Sequence, residues 1–289
     1  MAVRTNNCLI CSGTDLKQQN AIVNPFIAKR VFNSKPFTVK LLKCRKCSFK
    51  FFDLRLDDNE MDKLYAGYFT ADWTKERRSY EPWLINQYCN IRFNDKNYIN
   101  KANMVARKLK KYIANLGVQI KSSLDFGGDN GRVISRIFDD NVEKYVYEIS
   151  NSQLVPGVRK ITDPSSRTYD FIMCMDVLEH VSYPQGIIEK INKAAHKETV
   201  FYFQVPYEQP DSPGTRTKWI IQQFLLLILK FKIFTLTLKK GMFTHMGEHI
   251  NYFSKKSFRQ LMENAGYKNI KISIETVNHS KFISCFAQR

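Results

Sequence analysis

Leu124-Asp125-Phe126-Gly127-Gly128-Asp129-Asn130-Gly131-Arg132 is the stretch around which the rest of the chain is read. An apolar-leading strand runs into a glycine-rich turn, and a helix-like run, Arg132 to Phe138, follows at once. Glycine lets a backbone turn tightly and approach a ligand closely. The N-terminus of the helix beyond it offers free N–H groups to that ligand. Further on, Lys144-Tyr145-Val146-Tyr147-Glu148 reads as a second strand with an acidic residue at its end. A carboxylate there can accept both hydroxyls of a ribose, as in the nucleoside sites of doubly wound sheets.

The same grammar continues on both sides. From Tyr98 to Leu116 the apolar residues Ala102, Val105, Leu109, Tyr112, Ile113 and Leu116 recur at helical spacing, and Gly117 suits the residue after the helix end. Tyr169–Met175 reads as a buried strand ending in Asp176-Val177-Leu178-Glu179-His180-Val181. Pro184 opens a helix over Gln185–Ala195, and Thr199–Val205 is a strand closed by Pro206. Strands alternating with helices imply a parallel sheet covered on both faces. Ligands of such sheets sit at the carboxyl ends of the strands, where Gly127, Glu148, Asp176 and Gln204 fall. Ser254 is a natural N-cap for a helix from Lys255 to Ala265 that stops at Gly266. Lys268–Glu275 and Lys281–Ala287 then read as an antiparallel edge hairpin. The fold class expected is α/β: a Rossmann-like doubly wound sheet over 118–289 with a C-terminal antiparallel hairpin.

The glycine spacing does not fit G-x-G-x-x-G, the dinucleotide pattern. It resembles the first motif of class I S-adenosylmethionine-dependent methyltransferases, an Asp two residues before G-x-G-x-G, carried here by Asp125, Gly127, Asp129 and Gly131. Asp129 stands where that motif has its middle glycine; aspartate tolerates the left-handed region better than most residues. The plain alternative is a turn that binds nothing.

Cys8-x2-Cys11 and Cys44-x2-Cys47 are two matching pairs among seven cysteines. Each places two thiolates on one metal through a tight knuckle, and two knuckles make a closed tetrahedral zinc site of structural type. Disulfides and an iron–sulfur cluster are the rival readings. The N-terminus lacks the apolar core of a signal peptide, so a reducing, cytoplasmic setting is expected, in which disulfides are rare. A small zinc-ribbon-like module over 1–55 follows, with Phe37–Leu42 as a β-ribbon between the knuckles. Cys89 has no obvious partner, and Cys174 and Cys285 read as core residues. Residues 56–117 are expected to form a helical cap or linker; its aromatics Tyr65, Tyr68, Phe69, Trp73, Tyr80 and Trp83 read equally as a cap over a pocket or as packing of the module onto the next domain.

With 289 residues, 44% of them hydrophobic, the chain can bury a real core. Its 45 Lys+Arg against 27 Asp+Glu give +18, a balance that favours phosphate-bearing or otherwise anionic partners. The apolar stretch inside 207–247 is an insert, and 218–234 reads as a lid or dimer helix or as a segment lying in a membrane interface. Its uninterrupted apolar run is too short to span a bilayer.

Taken together, Leu124–Gly131, Glu148, Tyr169–Val181 and Glu248–Gly266 resemble a class I methyltransferase from about residue 120 onward. The paired knuckles resemble the zinc module of sugar methyltransferases that act on nucleotide-linked deoxysugars or bacterial polysaccharides. The resemblance implies S-adenosylmethionine held by Asp125, Gly127, Gly128, Asp129, Gly131, Glu148, Met175, Asp176 and His180. It implies zinc on Cys8, Cys11, Cys44 and Cys47. It also implies an acceptor site at Glu248-His249 and Tyr252-Phe253, with His249 as general base tuned by Glu248 and with Tyr252 beside it. The acceptor expected is a small molecule or glycan, phosphate-bearing by the charge argument. Asp176, Glu179, His180 and His249 offer a competing arrangement around one divalent ion, similar to metal-dependent methyltransferases. Nucleic acid is the alternative acceptor, although the Asn/Asp-Pro-Pro-aromatic motif of amino-directed enzymes is replaced here by Met175-Asp176-Val177-Leu178. A non-catalytic cofactor-binding scaffold is the third reading.

Overall fold

The structure is a computed structural model, and the fold is described for residues 2–68, 70–81, 96–150, 152–228, 244–277 and 280–289. The chain divides into two compact units: one formed by residues 90–178, 183–207 and 258–289, the other by 1–89, 179–182 and 208–257. Trp83 and Cys89, and Phe69 within the aromatic run, lie outside the described residues.

The first unit is built on a seven-stranded sheet. Its strands in chain order are β1 (Ser122–Phe126), β2 (Glu143–Tyr147), β3 (Val158–Ile161), β4 (Tyr169–Met175), β5 (Ala195–Pro206), β6 (Lys268–Val277) and β7 (Ser280–Gln288). They lie side by side as β6-β7-β5-β4-β1-β2-β3. β5, β4, β1, β2 and β3 run parallel, while β7 is antiparallel to β5 and β6 is antiparallel to β7. The parallel strands are near-continuous apolar runs because both faces are covered: Leu124, Phe171, Ile172, Met173, Phe201 and Phe203 are fully buried. Each such side chain contributes about 1.5–3 kcal/mol on burial. The edge strand β6 alternates exposed and partly covered residues and carries Lys268, Lys271 and Glu275, which discourages pairing with another chain.

Helices α1 (Lys96–Leu116), α2 (Ile134–Ile137) and α3 (Pro184–Lys193) belong to this unit. α4 (Lys255–Asn264) enters it at Phe258. On α1 the buried residues Ala102, Val105, Ala106 and Leu109 form one stripe, and Val105, Ala106 and Leu109 pack with Ile134, Ile137, Phe171 and Val200. Gly117 ends α1 at φ 63° and Gly266 follows α4 at φ 83°, the left-handed geometry expected of both. Ser254 Oγ accepts the Ser257 N–H at 3.1 Å, capping α4. α2 is shorter than the Arg132–Phe138 run suggested. The chain is still turning at Gly131, whose N–H donates to Gly128 O, and Phe138 is already extended at φ −117°.

The second unit holds a five-stranded sheet ordered His245–Met246, Leu16–Val23, Thr38–Cys44, Lys50–Phe52, Asn251–Tyr252. The ribbon expected from Phe37–Leu42 is therefore one strand of a larger sheet. Helix Pro25–Phe32 is capped by Asn24, whose side chain accepts the Phe26 N–H at 2.8 Å. Helix Asp58–Tyr65 starts with a capping box between Asp57 and Glu60, and Thr70 caps Ala71–Tyr80. The aromatic run packs this unit's core: Tyr68 and Phe26 meet Trp73 edge-on at 4.8 and 5.4 Å between ring centroids. Trp73 Nε1 donates to Leu64 O at 3.0 Å.

Of the insert, Pro213–Ile228 is helical and exposes Ile220, Ile221 and Phe224. The remainder of 218–234 lies outside the described residues. Among the described residues no helix is long and apolar enough to cross a membrane.

Candidate functional site

The register of the first unit's sheet brings the strand ends into line. Phe126 lies opposite both Tyr147 and Cys174, and Met175 opposite Gln204. Gly127, Glu148, Met175 and Gln204 therefore share one edge. Asp176 follows Met175 with φ 56°; its carboxylate accepts from Lys101 Nζ at 2.9 Å and Gln204 Nε2 at 3.3 Å.

At that edge the glycine loop is drawn tight. A Cβ on Gly128 would lie 2.4 Å from Asp125 Cγ, and one on Gly127 would lie 2.4 Å from Val177 Cγ2. Asp129 adopts φ 51°, the left-handed conformation that the missing glycine would have taken. Its N–H donates to Glu148 Oε2 at 3.0 Å, and Glu148 Oε1 accepts the Ser150 N–H at 2.8 Å. Ser152 Oγ donates to Asp129 Oδ1. Asp125 is buried at 2% exposure. Burial first, then the nearby Glu148 and Asp129 charges, pushes its carboxyl well above the usual range. With Asp125 pushed towards its neutral form, Glu148 and Asp129 are the charges this turn offers, and they suit a ligand that brings positive charge together with hydroxyl groups.

The second unit carries two clusters. Around the first, segment Glu179–Ser182 is stitched down by a buried arginine. Arg55 donates to Ser182 O (2.9 Å), Val181 O (3.0 Å), Phe52 O (3.1 Å) and Asn251 Oδ1 (2.9 Å). Glu179 O accepts the N–H groups of Ile250 and Asn251. His180 and His249 are thereby brought together, with ring centroids 4.6 Å apart and planes at 79°. Tyr65 Oη lies 3.0 Å from His180 Nδ1, and Glu208 Oε2 lies 2.8 Å from His249 Nδ1. Glu248, expected to tune His249, is bound instead by Arg77 at 2.7 Å, and Arg77 also holds Glu81 at 2.7 Å. Glu248 still acts on His249 through its charge. Tyr252 spends its hydroxyl on His249 O at 2.9 Å and so anchors that residue's backbone.

Burial disfavours the charged form of His249, but the Glu208 hydrogen bond and charge, with Glu179 and Glu248, outweigh it and raise the imidazole to about 9. That lies above the ordinary near-neutral value from which the sequence reading started.

In the other cluster, the sulfurs of Cys8, Cys11, Cys44 and Cys47 lie within 4.8 Å of one another. The Cys8–Cys47 and Cys11–Cys44 separations are 3.5 Å. Four sulfurs tetrahedrally bound at about 2.3 Å from an ion sit about 3.8 Å apart. The two knuckles repeat one geometry. Ser12 and Ser48 are left-handed at φ 55° and 64° and donate to Cys8 O and Cys44 O; the Cys8 and Cys44 N–H groups donate to Gly13 O and Phe49 O, all at 2.9 Å. Contact with Cys47 lowers the Cys8 thiol to about 5 while raising that of Cys47. This cluster can hold a metal ion.

The structure thus gathers Asp125, Gly127, Gly128, Asp129, Gly131, Glu148, Met175 and Asp176 in one unit, and His180, Glu248, His249 and Tyr252 in the other. Sequence reading missed Glu208, Arg55 and Arg77, and named Tyr65 only within the aromatic run. Glu208, just beyond Pro206 at the end of β5, stood at the kind of strand end already singled out.

A family model described as a methyltransferase domain matches residues 98–272. Among solved structures, a 1,6-didemethyltoxoflavin-N1-methyltransferase of Burkholderia thailandensis, with bound 1,6-didemethyltoxoflavin and S-adenosylhomocysteine, superposes with a TM-score of 0.51 at 9% identity. The match covers 87% of this chain and 95% of that one. Magnesium protoporphyrin IX methyltransferase of Synechocystis PCC 6803, with bound S-adenosylhomocysteine, gives 0.47 at 15% identity over 77% and 96% of the two chains. At 9% identity the likeness to the toxoflavin enzyme is one of fold. No curated protein matches the chain by sequence.

Proposed function

The chain belongs to the methyltransferase-domain family and is an S-adenosylmethionine-dependent methyltransferase, and from that premise we propose that it methylates a hydroxyl of a saccharide, either nucleotide-linked or part of a lipid-linked or polymeric glycan. The observation that carries the cofactor half is the loop: Asp129 takes the left-handed place of a glycine and its N–H fixes Glu148. Glu148 keeps acceptor lone pairs for the ribose hydroxyls. Gly127 and Gly128 let the turn close against Val177 and Asp125, where any Cβ would clash.

The chemistry asked of the protein is alignment and proton removal. The sulfonium already activates the methyl group. As the acceptor oxygen attacks the methyl carbon, the carbon–sulfur bond breaks and neutral S-adenosylhomocysteine remains. The hydroxyl proton is assigned to Nε2 of His249, because Glu208 occupies Nδ1 and fixes the ring, the logic of an oriented general base. With the imidazole raised to about 9, that nitrogen is available only after its own proton has left. The saccharide reading is supported by the paired cysteine knuckles beside an acidic-His acceptor segment and by the net charge of +18, which suits a phosphate-bearing acceptor. We assign structural zinc to Cys8, Cys11, Cys44 and Cys47; four thiolates leave no open position.

The test is methyl transfer from labelled S-adenosylmethionine to a panel of nucleotide-sugars, glycans and RNA. Incorporation into a saccharide hydroxyl is expected. Labelling of RNA alone, with steep salt dependence, would refute the acceptor assignment.

A further inference from the structure

We propose that Glu179, His180 and His249 form a second metal centre, distinct from the four cysteines, that binds one first-row divalent transition-metal ion. One ligand atom from each of the three lies within 4.8 Å of the others. The proposal goes beyond methyl transfer and does not rest on it, since binding needs only these side chains.

Three features mark a built site. First, each imidazole is oriented from outside: Tyr65 Oη holds His180 Nδ1 at 3.0 Å and Glu208 holds His249 Nδ1 at 2.8 Å. It is then Nε2 that each ring offers to the centre. A partner on the far nitrogen is the usual support of a metal-bound histidine. Rings at 79° with centroids 4.6 Å apart meet edge to face rather than stacking flat. Second, the ligand-bearing segments are fixed to each other. Glu179 O takes the Ile250 and Asn251 N–H groups, directly after His249, and Asn251 Nδ2 donates to Val181 O at 2.7 Å. Arg55 clamps the same pair of segments. Such rigidity keeps three donors at fixed separation without an ion to gather them.

Third, the surroundings are acidic in a chain of net charge +18. Arg77 is shared by two carboxylates, Glu81 and Glu248. Glu179, itself 2% exposed, and Glu208 add two more. A cation balances them. Two imidazoles and one carboxylate favour a transition ion over magnesium or calcium, and three protein ligands leave positions open for oxygen donors. A His249 that holds the ion through Nε2 cannot also take the acceptor's proton there, so occupancy of this centre excludes the base role assigned above.

Manganese(II) is the probe, because it avoids thiolate sites. The full chain, with its cysteines zinc-loaded, is titrated with Mn(II) while the free-ion electron paramagnetic resonance signal is followed. One Mn(II) per chain is expected, with the modest affinity of the weakest binder in the divalent series, weakened at least tenfold by Glu179→Gln or His180→Asn and about tenfold by Tyr65→Phe or Glu208→Gln. No binding by the wild type, or equal affinity in Glu179→Gln and His180→Asn, would overturn the proposal. Should those variants fail to fold, electron spin-echo spectra of the wild type decide: two coupled imidazole nitrogens support the centre and none refutes it. S-adenosylhomocysteine affinity on the same samples is a separate readout. Mn(II) binding without it would sink the methyltransferase reading and leave the metal centre standing.

Discussion

Nδ1 of His249 lies 2.8 Å from Oε2 of Glu208, 41 residues away in sequence, while the adjacent Glu248 is held by Arg77. The long-range carboxylate, not the neighbouring one, sets the orientation and much of the charge state of this histidine. Glu208→Gln keeps the shape and removes the charge. It is expected to move the His249 titration from about 9 towards its ordinary value, read by imidazole NMR. If His249 is the base, the neutral form grows with pH, so turnover should climb towards pH 9 in the wild type and reach its plateau earlier in Glu208→Gln. His249→Ala should leave S-adenosylhomocysteine binding intact and cut turnover about a hundredfold or more. Full activity in that variant on the true acceptor would remove His249 from the mechanism.

The glycine loop makes opposite predictions for adjacent residues. Gly128→Ala puts a methyl group 2.4 Å from Asp125 Cγ, a buried side chain with little room to yield, so cofactor binding should be lost or nearly so. Asp129→Gly relieves a left-handed aspartate and retains the N–H that Glu148 accepts; affinity should be kept. Glu148→Ala should weaken binding by about 1–3 kcal/mol, the cost of charge-assisted hydrogen bonds. Calorimetry with S-adenosylhomocysteine measures all three. Equal affinity across the set would show that the loop does not hold the cofactor.

Elemental analysis of freshly purified, reduced protein should find one zinc on the cysteine cluster. Chelation should melt the sheet that carries Cys44 before the seven-stranded one, because ligand binding and folding of such modules are coupled. Protein without zinc, or a single melting step unchanged by chelator, would defeat the assignment.

Arg55 is a stability prediction with a structural consequence. Its guanidinium makes four hydrogen bonds at 1% exposure. Arg55→Met removes the guanidinium donors from the carbonyls of Phe52, Val181 and Ser182 and from Asn251 Oδ1, while Val181 O keeps its Asn251 Nδ2 donor, which should cost about 3–5 kcal/mol by urea unfolding. Arg55→Lys should rescue little, since one ammonium cannot reproduce the planar fork. A loss below about 1 kcal/mol would mean that water satisfies those groups.

These residues also show where sequence stops being legible. The seven-stranded sheet could be read because its strands announce themselves as apolar runs, Tyr169–Met175 above all, and because Gly117, Gly266 and Ser254 mark helix ends by local chemistry. The glycine loop was readable for the same reason: backbone conformation is a local property, and φ 51° at Asp129 is what its side chain tolerates. The histidine cluster was only half visible. His180 and His249 stood out as residue types, but Tyr65, Arg55 and Glu208 reach them through tertiary packing that no spacing encodes. The division of the chain into units, with 179–182 joining the N-terminal residues, was invisible for the same reason. Arg55 on the carbonyls of Val181 and Ser182, and Asn251 on Val181 O, are among the bonds that hold the segment there.

His245 gives a prediction about acid stability that is independent of either metal site. It is buried at 2% exposure, stacked on Trp219 at 4.6 Å with planes 18° apart. Burial alone lowers its proton affinity to about 4 from 6.5. The sign follows from linkage: between those values the unfolded chain binds a proton that the folded chain refuses. Stability is therefore full above pH 6.5, declines as pH falls, and levels off for this group below pH 4, a loss of about 3 kcal/mol. Carboxylates with lowered values, such as Asp211 beside Lys50 and Glu275 beside Lys108, lose their stabilising charge at lower pH, so the two contributions separate on the pH axis. His245→Phe keeps an aromatic ring against Trp219 and removes the titrating group. Urea unfolding at a series of pH values should show the wild type losing stability between pH 6.5 and pH 4 and the variant holding nearly flat there. Parallel curves would show that His245 is protonated within the folded protein, and that the stack on Trp219 opens to admit the charge.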